Sequence, residues 1–513
     1  MNTNNRRSVP HRPAHPVSRP RAAPAVPMEI VLSRSSDTAL FVQIREQVRG
    51  LIQRGLLRPG MRLPPVRRLA SDLEVNQITV AKAYRGLVET GLVEGRRGGG
   101  TFVRGFSGLH AHVGEVDRAP TQPMIAERLY DLARAPGVIS FSSNYARVDG
   151  GCLAEFRTCL TEAVDRQLES SMQYELPAGR QEARQQIAQF LADEGIAVQA
   201  GEVIVTSGAQ QALDLTVRAL CPPGTPVIVE QPAYYGAINA FRLTQARILE
   251  VPGDDEGPDL TAIEDGFKRA RARVIYLNPT FQNPSGITIS LSRRQAVLAL
   301  AERYGAVIIE DDHASELRFR GSPVAAIRAL PSGENHVIYV RTFGKTMLPG
   351  TRLGFMVCPP ALLQRLLLMK ANADLHSNGL MQVALARFLA RRRYPPILDR
   401  LRELYRARQT KLFSALKAGL TPNCRLNCPA GGLSFWLTLP DDADTSELYF
   451  RAVRRGVAFV DGGVFYAFEP KTRSMRLSFG RLEEAQLMEG AERLCSLVND
   501  LQQRVRSKSL VFT

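Results

Sequence analysis

Five short apolar runs constrain this chain more than any other feature: Val203-Ile-Val, Val227-Ile-Val, Val274-Ile-Tyr-Leu, Ala306-Val-Ile-Ile and Val337-Ile-Tyr-Val. They are continuous rather than alternating, and amphipathic helical patterns separate them. A strand that is apolar on both faces must be covered on both faces, so the pattern predicts a mostly parallel, doubly covered α/β sheet. No GxGxxG or Walker motif accompanies the strands, so nucleotide binding is not the expected use of that sheet. At 513 residues and 44% hydrophobic content the chain can bury more than one core, and two to four domains are expected. No apolar run approaches the ~20 residues of a membrane span. The N-terminus lacks a secretory h-region, so the expected compartment is the cytoplasm. Seven cysteines, scattered and odd in number, fit reduced thiols rather than a disulfide framework. Cys424 and Cys428 stand without a second pair or a neighbouring histidine, so no metal site is expected.

The charge is uneven. Residues 1–105 hold 18 Arg and Lys against 7 Asp and Glu, a net +11 of the chain's +16. A basic front end on a near-balanced body predicts a polyanion-binding module joined to something else. The first 27 residues contain six prolines, five arginines and no acid, too little apolar surface to offset chain entropy. A disordered basic tail is therefore expected over 1–36. Met28 is an alternative start of translation. Helical spacing then runs through Phe41, Ile44, Val48, Leu51 and Ile52; a second short helix follows Pro64-Pro65, and a third follows Val75-Asn76 with Val80, Ala83, Leu87 and Val88. Leu92-Val-Glu, a Gly-rich turn and Thr101-Phe-Val read as a two-stranded hairpin. Three short helices and a basic hairpin describe a winged helix-turn-helix over 37–104. Residues 105–123 read as a linker, and 124–513 as the α/β body.

The strands of that body end in polar residues, where open sheets place their ligands. Ser207-Gly208-Ala209-Gln210-Gln211 opens a helix whose first N–H groups suit a phosphate, or make a simple N-cap. Glu230-Gln-Pro-Ala-Tyr234-Tyr235 offers rings for stacking or for packing. Asn278-Pro-Thr-Phe-Gln-Asn283-Pro-Ser-Gly286 is turn-rich. Glu310-Asp311-Asp312-His313 puts three acids at a buried strand end, which rarely happens without a use. Last comes Arg341-Thr342-Phe-Gly344-Lys345-Thr-Met-Leu-Pro-Gly-Thr-Arg352. An amine that attacks an aldehyde cofactor needs partial desolvation and phosphate donors nearby. Lys345 with Thr342 and Arg352 fits that need, although such a lysine taken alone is more often a solvated loop charge.

Two resemblances follow. Leu63-Pro-Pro-Val-Arg67-Arg68-Leu-Ala, Val75-Asn-Gln77-Ile-Thr79-Val, Ala83-Tyr84 and Gly98 to Val103 resemble GntR-type DNA-binding domains. That likeness implies double-stranded DNA as partner, touched by Arg67, Thr79 and the wing residues Gly98, Gly99, Gly100 and Thr101, with Gln77 in the reading helix. Pro65 stands where serine is usual, and Asn76-Gln77 replaces Ser-Arg; Arg68 and Lys82 can compensate electrostatically. From about 124 to 500 the chain resembles fold-type I aminotransferases, which bind pyridoxal 5′-phosphate. By that likeness Lys345 forms the internal aldimine, Asp311 pairs with the pyridine nitrogen, Asn283 meets O3′ and Tyr234 stacks on the ring. Ala209, Gln210, Thr342 and Arg352 would bind phosphate, and Tyr174 would reach the partner subunit's phosphate. Arg476 would receive a substrate or effector carboxylate. His313 stands near O3′ where the regulatory relatives carry tyrosine, and Gly344 where serine is common. The fusion resembles the MocR-type bacterial regulators. It implies a homodimeric, DNA-binding regulator that senses pyridoxal phosphate, or an amine or amino acid, by aldimine exchange. A working aminotransferase with a secondary DNA-binding domain is the alternative.

Overall fold

The computed structural model describes residues 30, 32, 38–53, 57, 61–90, 92–96, 100–103, 137–440, 445–468 and 473–509. The chain divides into two compact units, Met1–Thr121 and Gln122–Thr513.

In the first unit helix α1 (Leu40–Gln53) turns Ile44, Val48, Leu51 and Ile52 inward. Helix α2 (Val66–Asp72) starts directly after Pro65, whose fixed φ suits a helix entry and whose missing N–H costs nothing there. Helix α3 (Gln77–Glu89) is capped by Asn76, whose Oδ1 accepts from the Ile78 N–H at 2.9 Å. It buries Val80, Ala83, Tyr84 and Leu87, and the Tyr84 hydroxyl donates to Pro64 O at 3.0 Å, tying α3 to the start of α2. Strands β1 (Val93–Arg96) and β2 (Gly100–Val103) pair antiparallel from Val93↔Val103 to Arg96↔Gly100. Leu63 N–H donates to Thr101 O at 2.8 Å, fastening the hairpin to the helices. Ile44, Val48, Val80 and Leu87 are fully buried, and truncating one large member of such a core to alanine costs about 2–5 kcal/mol. One expectation needs correcting. Ile30 is only 3% exposed and belongs to this core with Leu32 against it, so apolar packing begins inside the segment 1–36 expected to be a tail. The remaining residues of that segment, apart from Leu32, lie outside the described residues, as do Gly98, Gly99 and the linker 105–123.

The second unit is built on a seven-stranded sheet: β3 (Val203–Thr206), β4 (Pro226–Glu230), β5 (Arg247–Val251), β6 (Val274–Leu277), β7 (Val307–Asp312), β8 (Val337–Thr342) and β9 (Gly354–Val357). The order is β3-β9-β8-β7-β6-β4-β5. Neighbours are parallel except at β9, which runs antiparallel to both β8 and β3. The apolar runs are buried, with Val307 alone half-buried, as continuous rather than alternating patterns require. Their carboxyl ends gather on one edge. A smaller antiparallel sheet, β10 (Arg425–Leu426), β11 (Ser434–Thr438), β12 (Val460–Asp461) and β13 (Ser474–Ser478), has the order β10-β11-β13-β12. In it Arg476 stands opposite Trp436 and Val460. No helix among the described residues is long and apolar enough to cross a membrane.

Candidate functional site

Lys345 lies in the turn after β8. Its Nζ donates to Asn144 O at 2.8 Å, and its carbonyl accepts from Ala146 N–H at 2.8 Å, so the irregular strap 142–146 is stitched across the lysine. Burial and the nearby Arg476 push the ammonium down to about 8, against the pull of Asp311. Next in sequence, Thr346 is anchored through its hydroxyl to Glu316, which also accepts from Tyr394 OH at 2.7 Å and pairs with buried Arg341. The turn is thereby held by a buried network as well as by its own backbone, where Met347 N–H donates to Phe343 O at 3.0 Å.

The three acids of β7 separate into different tasks. Glu310 accepts from Ile327 N–H and Arg328 N–H at 2.9 and 2.8 Å, a structural clamp. Asp312 accepts from the Ser315 hydroxyl at 2.6 Å and from Tyr339; although burial pushes its carboxyl up, Arg341 and these donors hold it below the usual range. Asp311 Oδ2 accepts from Tyr276 OH at 2.7 Å, whereas Oδ1 is buried without a partner. Burial raises Asp311 to about 6, opposed by Tyr276 and Lys345. A buried acceptor left unpaired is costly, and a pyridinium N–H is a donor of the required kind. Asn278 Nδ2 donates to Asp311 O and lies 3.1 Å from His313 Nδ1. Burial, with Lys345 nearby, drives His313 down to about 3, which favours a neutral ring.

At the other side Arg476 is 1% exposed. Its Nη1 donates to Asn283 Oδ1 at 2.7 Å and its Nη2 to Ser142 O at 2.9 Å, while Nε has no partner. Its guanidinium lies 5.1 Å from the centre of the Phe465 ring. None of the described ion pairs involves it, and a buried cation without a carboxylate is expensive. Because the Asn283 oxygen is taken by Arg476, its amide nitrogen is the group left to donate elsewhere.

The phosphate-sized end forms where helix α4 (Ala209–Leu220) begins. Gly208 has φ +87°, and a Cβ there would come within 3.0 Å of Arg352 Nη2. Arg352 itself adopts φ +53° and donates to Ser207 O at 3.2 Å. Gln211 accepts from Ser207 N–H at 2.7 Å and donates to Asp374 at 2.7 Å, with fully buried Lys370 paired to the same carboxylate. The first N–H groups of α4, at Ala209 and Gln210, have no helical carbonyl to meet. Tyr234 OH donates to Gln210 Oε1 at 3.1 Å and its ring lies 5.0 Å from that of Tyr235. Thr342 spends its proton inside the turn, on Leu353 O at 3.2 Å, and accepts from Gly344 N–H at 3.0 Å. Tyr174 is not part of this set within one chain: it is 84% exposed, edge-on to His376.

Sequence reading missed Asn144, Ser142 and Tyr276. The first two act through backbone oxygens and leave no trace in residue type; the third is a phenol in an otherwise apolar strand, which was the available signal.

In the first unit Arg67, Arg68, Gln77, Lys82 and Gly100 are exposed, while Thr79 and Thr101 are half-buried. Arg68 is 3.9 Å from Asp72, and Lys82 Nζ lies 3.9 Å over the Phe41 ring.

Comparison with known proteins agrees with both units. Residues 40–103 match the bacterial regulatory proteins of the gntR family, and residues 136–494 match aminotransferase class I and II. The probable rhizopine catabolism regulatory protein MocR of Rhizobium meliloti is 32% identical over 83% of this chain and 84% of its own length. The chain belongs to the MocR-type regulators. Enzymes are similar as well: 2-aminoadipate transaminase of Thermus thermophilus is 35% identical over 73% of this chain and 93% of its own. A solved α-aminoadipate aminotransferase from Thermus thermophilus, complexed with N-(5′-phosphopyridoxyl)-L-leucine, superposes with a TM-score of 0.67 at 33% identity, covering 73% of this chain and 97% of that one. The fold is therefore that of the pyridoxal phosphate aminotransferases, and pyridoxal 5′-phosphate is the cofactor. The orphaned Asp311 Oδ1 and the Gly208–Arg352 cradle fit that group from the two ends.

Proposed function

We propose that this protein is a DNA-binding regulator, acting in the bacterial cytoplasm, whose second unit senses an amine or amino acid at Lys345. When bound, pyridoxal phosphate supplies an aldehyde carbon that a primary amine can take over from Lys345. Lys345 would attack as a free amine, and its Nζ, held on Asn144 O beside Asp311 and Arg476, is the observation that carries the reading. Asp311 Oδ1 would hold the proton on the ring nitrogen and Asn283 Nδ2 would donate to the ring oxygen, with neutral His313 beside them. Tyr234 would stack on the ring, and Ala209, Gln210, Thr342 and Arg352 would grip the phosphate; for Thr342 this requires its hydroxyl to turn away from Leu353 O. Arg476 takes the effector's carboxylate in a bidentate fork. A released Lys345 returns to Asn144 O. Release therefore changes the strap 142–146, which also carries the Ser142 contact to Arg476. An effector that favours one strap arrangement shifts the protein's equilibrium by its differential affinity, and DNA binding is the readout.

The protein acts as a homodimer in this reading. Met172, Tyr174, Leu176 and Leu375 are all more than half exposed, and Tyr174 reaches phosphate only from a second subunit. Two DNA-binding units then act together, which raises affinity without any new contact.

A second reading, a working aminotransferase, is favoured by the complete donor set and by relatives that are enzymes. Keto-acid release from a panel of amino acids separates the two. Sensing predicts at most one equivalent per subunit together with a change in operator affinity. Many turnovers with unchanged DNA binding would establish the enzyme instead.

A further inference from the structure

Helix α3 presents an isoleucine to solvent in its first turn. Ile78 is 73% exposed. Single exposed apolar side chains are ordinary on protein surfaces, so exposure alone says little. Position says more. The buried stripe of α3 is Val80, Ala83, Tyr84 and Leu87. At about 100° per residue, Ile78, Lys82 and Arg85 project from the opposite side. Lys82 and Arg85 are exposed, as are Arg67 and Arg68 on α2. The outward face of α3 is thus an apolar tip followed by cations, in a segment that carries a net +11.

Two local features make that tip rigid. The Asn76 side chain caps the Ile78 N–H at 2.9 Å, fixing the backbone at the start of the helix. A β-branched side chain in a helix keeps essentially one rotamer, so little entropy is lost when it makes a contact. The cations select a polyanion, and duplex DNA is the one this fold docks through its third helix. Isoleucine has no hydrogen-bonding group, and the apolar feature that base edges show in the major groove is the C5 methyl of thymine. We propose that Ile78 reads a thymine in the operator by apolar contact with that methyl group, with Lys82 and Arg85 on the neighbouring phosphates. This rests on the DNA-binding reading of the first unit and adds which base the helix selects.

The test uses the full-length protein. Duplexes are selected from a random pool, and each thymine of the selected sequence is replaced in turn by deoxyuridine, which preserves base pairing and removes only the methyl. At least one replacement should weaken wild-type binding about three- to fivefold, the worth of one buried methyl-sized group. Ile78→Ala should bind the thymine and deoxyuridine duplexes equally, with unchanged thermal unfolding and an unchanged dependence on salt. A wild type that binds the selected duplex but is indifferent at every thymine overturns the proposal, as does an Ile78→Ala variant that keeps the wild-type preference. Failure to bind any duplex is a different result: it removes the regulator reading, and this proposal with it.

Discussion

The two units hold their functional residues in opposite ways. On the winged-helix unit the groups proposed to face DNA are exposed, carry few partners of their own, and are several deep in positive charge: Arg67, Arg68, Lys82 and Arg85 would share one task. In the larger unit the groups around the lysine are buried or half-buried and have few, particular neighbours: Lys345 with Asn144, Asp311 with Tyr276, Arg476 with Asn283 and Ser142. Shared exposed charges give graded, salt-dependent effects. Buried, singly partnered groups give large ones, because removing a partner strands the other in a dry site. Perturbation should therefore be severe in one unit and mild in the other.

The largest effect should come from Lys345→Ala, which removes the attacking amine and should abolish the visible absorption that the wild type gains on mixing with pyridoxal phosphate. A coloured variant, with the band linked to protein after gel filtration, would break the comparison at its strongest point. Asp311→Asn comes next. Loss of a charge-assisted hydrogen bond worth about 1.5–3 kcal/mol should weaken cofactor binding roughly ten- to a hundredfold in an equilibrium titration. Arg476→Met should cost a similar factor for effectors that carry a carboxylate and leave simple amines unaffected. Equal losses for both would show that Arg476 only supports Asn283. For pH, the lysine must be neutral to attack, and its ammonium is lowered from 10.5 to about 8. The rate of cofactor attachment should rise with pH and level off above about 8; a rise continuing to 10 would mean that the site does not depress the lysine. The smallest effect belongs to the other unit: Arg67→Ala should weaken operator binding a few-fold and lower the slope of log K against log salt by about one.

The same contrast explains what was legible in the sequence. The winged helix could be read from periodicity and turn residues because its elements are local: Pro64-Pro65 starts α2, Asn76 caps α3, and Gly100 opens β2 with φ +103°. Ile30 was missed because one apolar residue after a Pro-rich stretch has no period. In the larger unit the side chains at the strand ends were legible as types, and the structure brings Lys345, Asp311, Asn283 and Arg476 into one electrostatic neighbourhood. Their wiring was not legible. The division of labour among Glu310, Asp311 and Asp312 depends on which of Ile327, Tyr276 and Tyr339 lies opposite each carboxyl, and that is decided by the order of the strands and by the turn that carries Ile327 rather than by adjacency. The strap over Lys345 works through backbone carbonyls, which every residue has.

The central claim is that the buried unit controls the exposed one through Lys345. Fluorescence anisotropy of a labelled operator duplex, with the full-length protein, pyridoxal phosphate and a panel of amines and amino acids, tests it directly. The account predicts that at least one compound changes the operator affinity of the wild type and leaves Lys345→Ala unchanged. An identical response from both proteins, or no response from a fully coloured wild type to any amine, would contradict it.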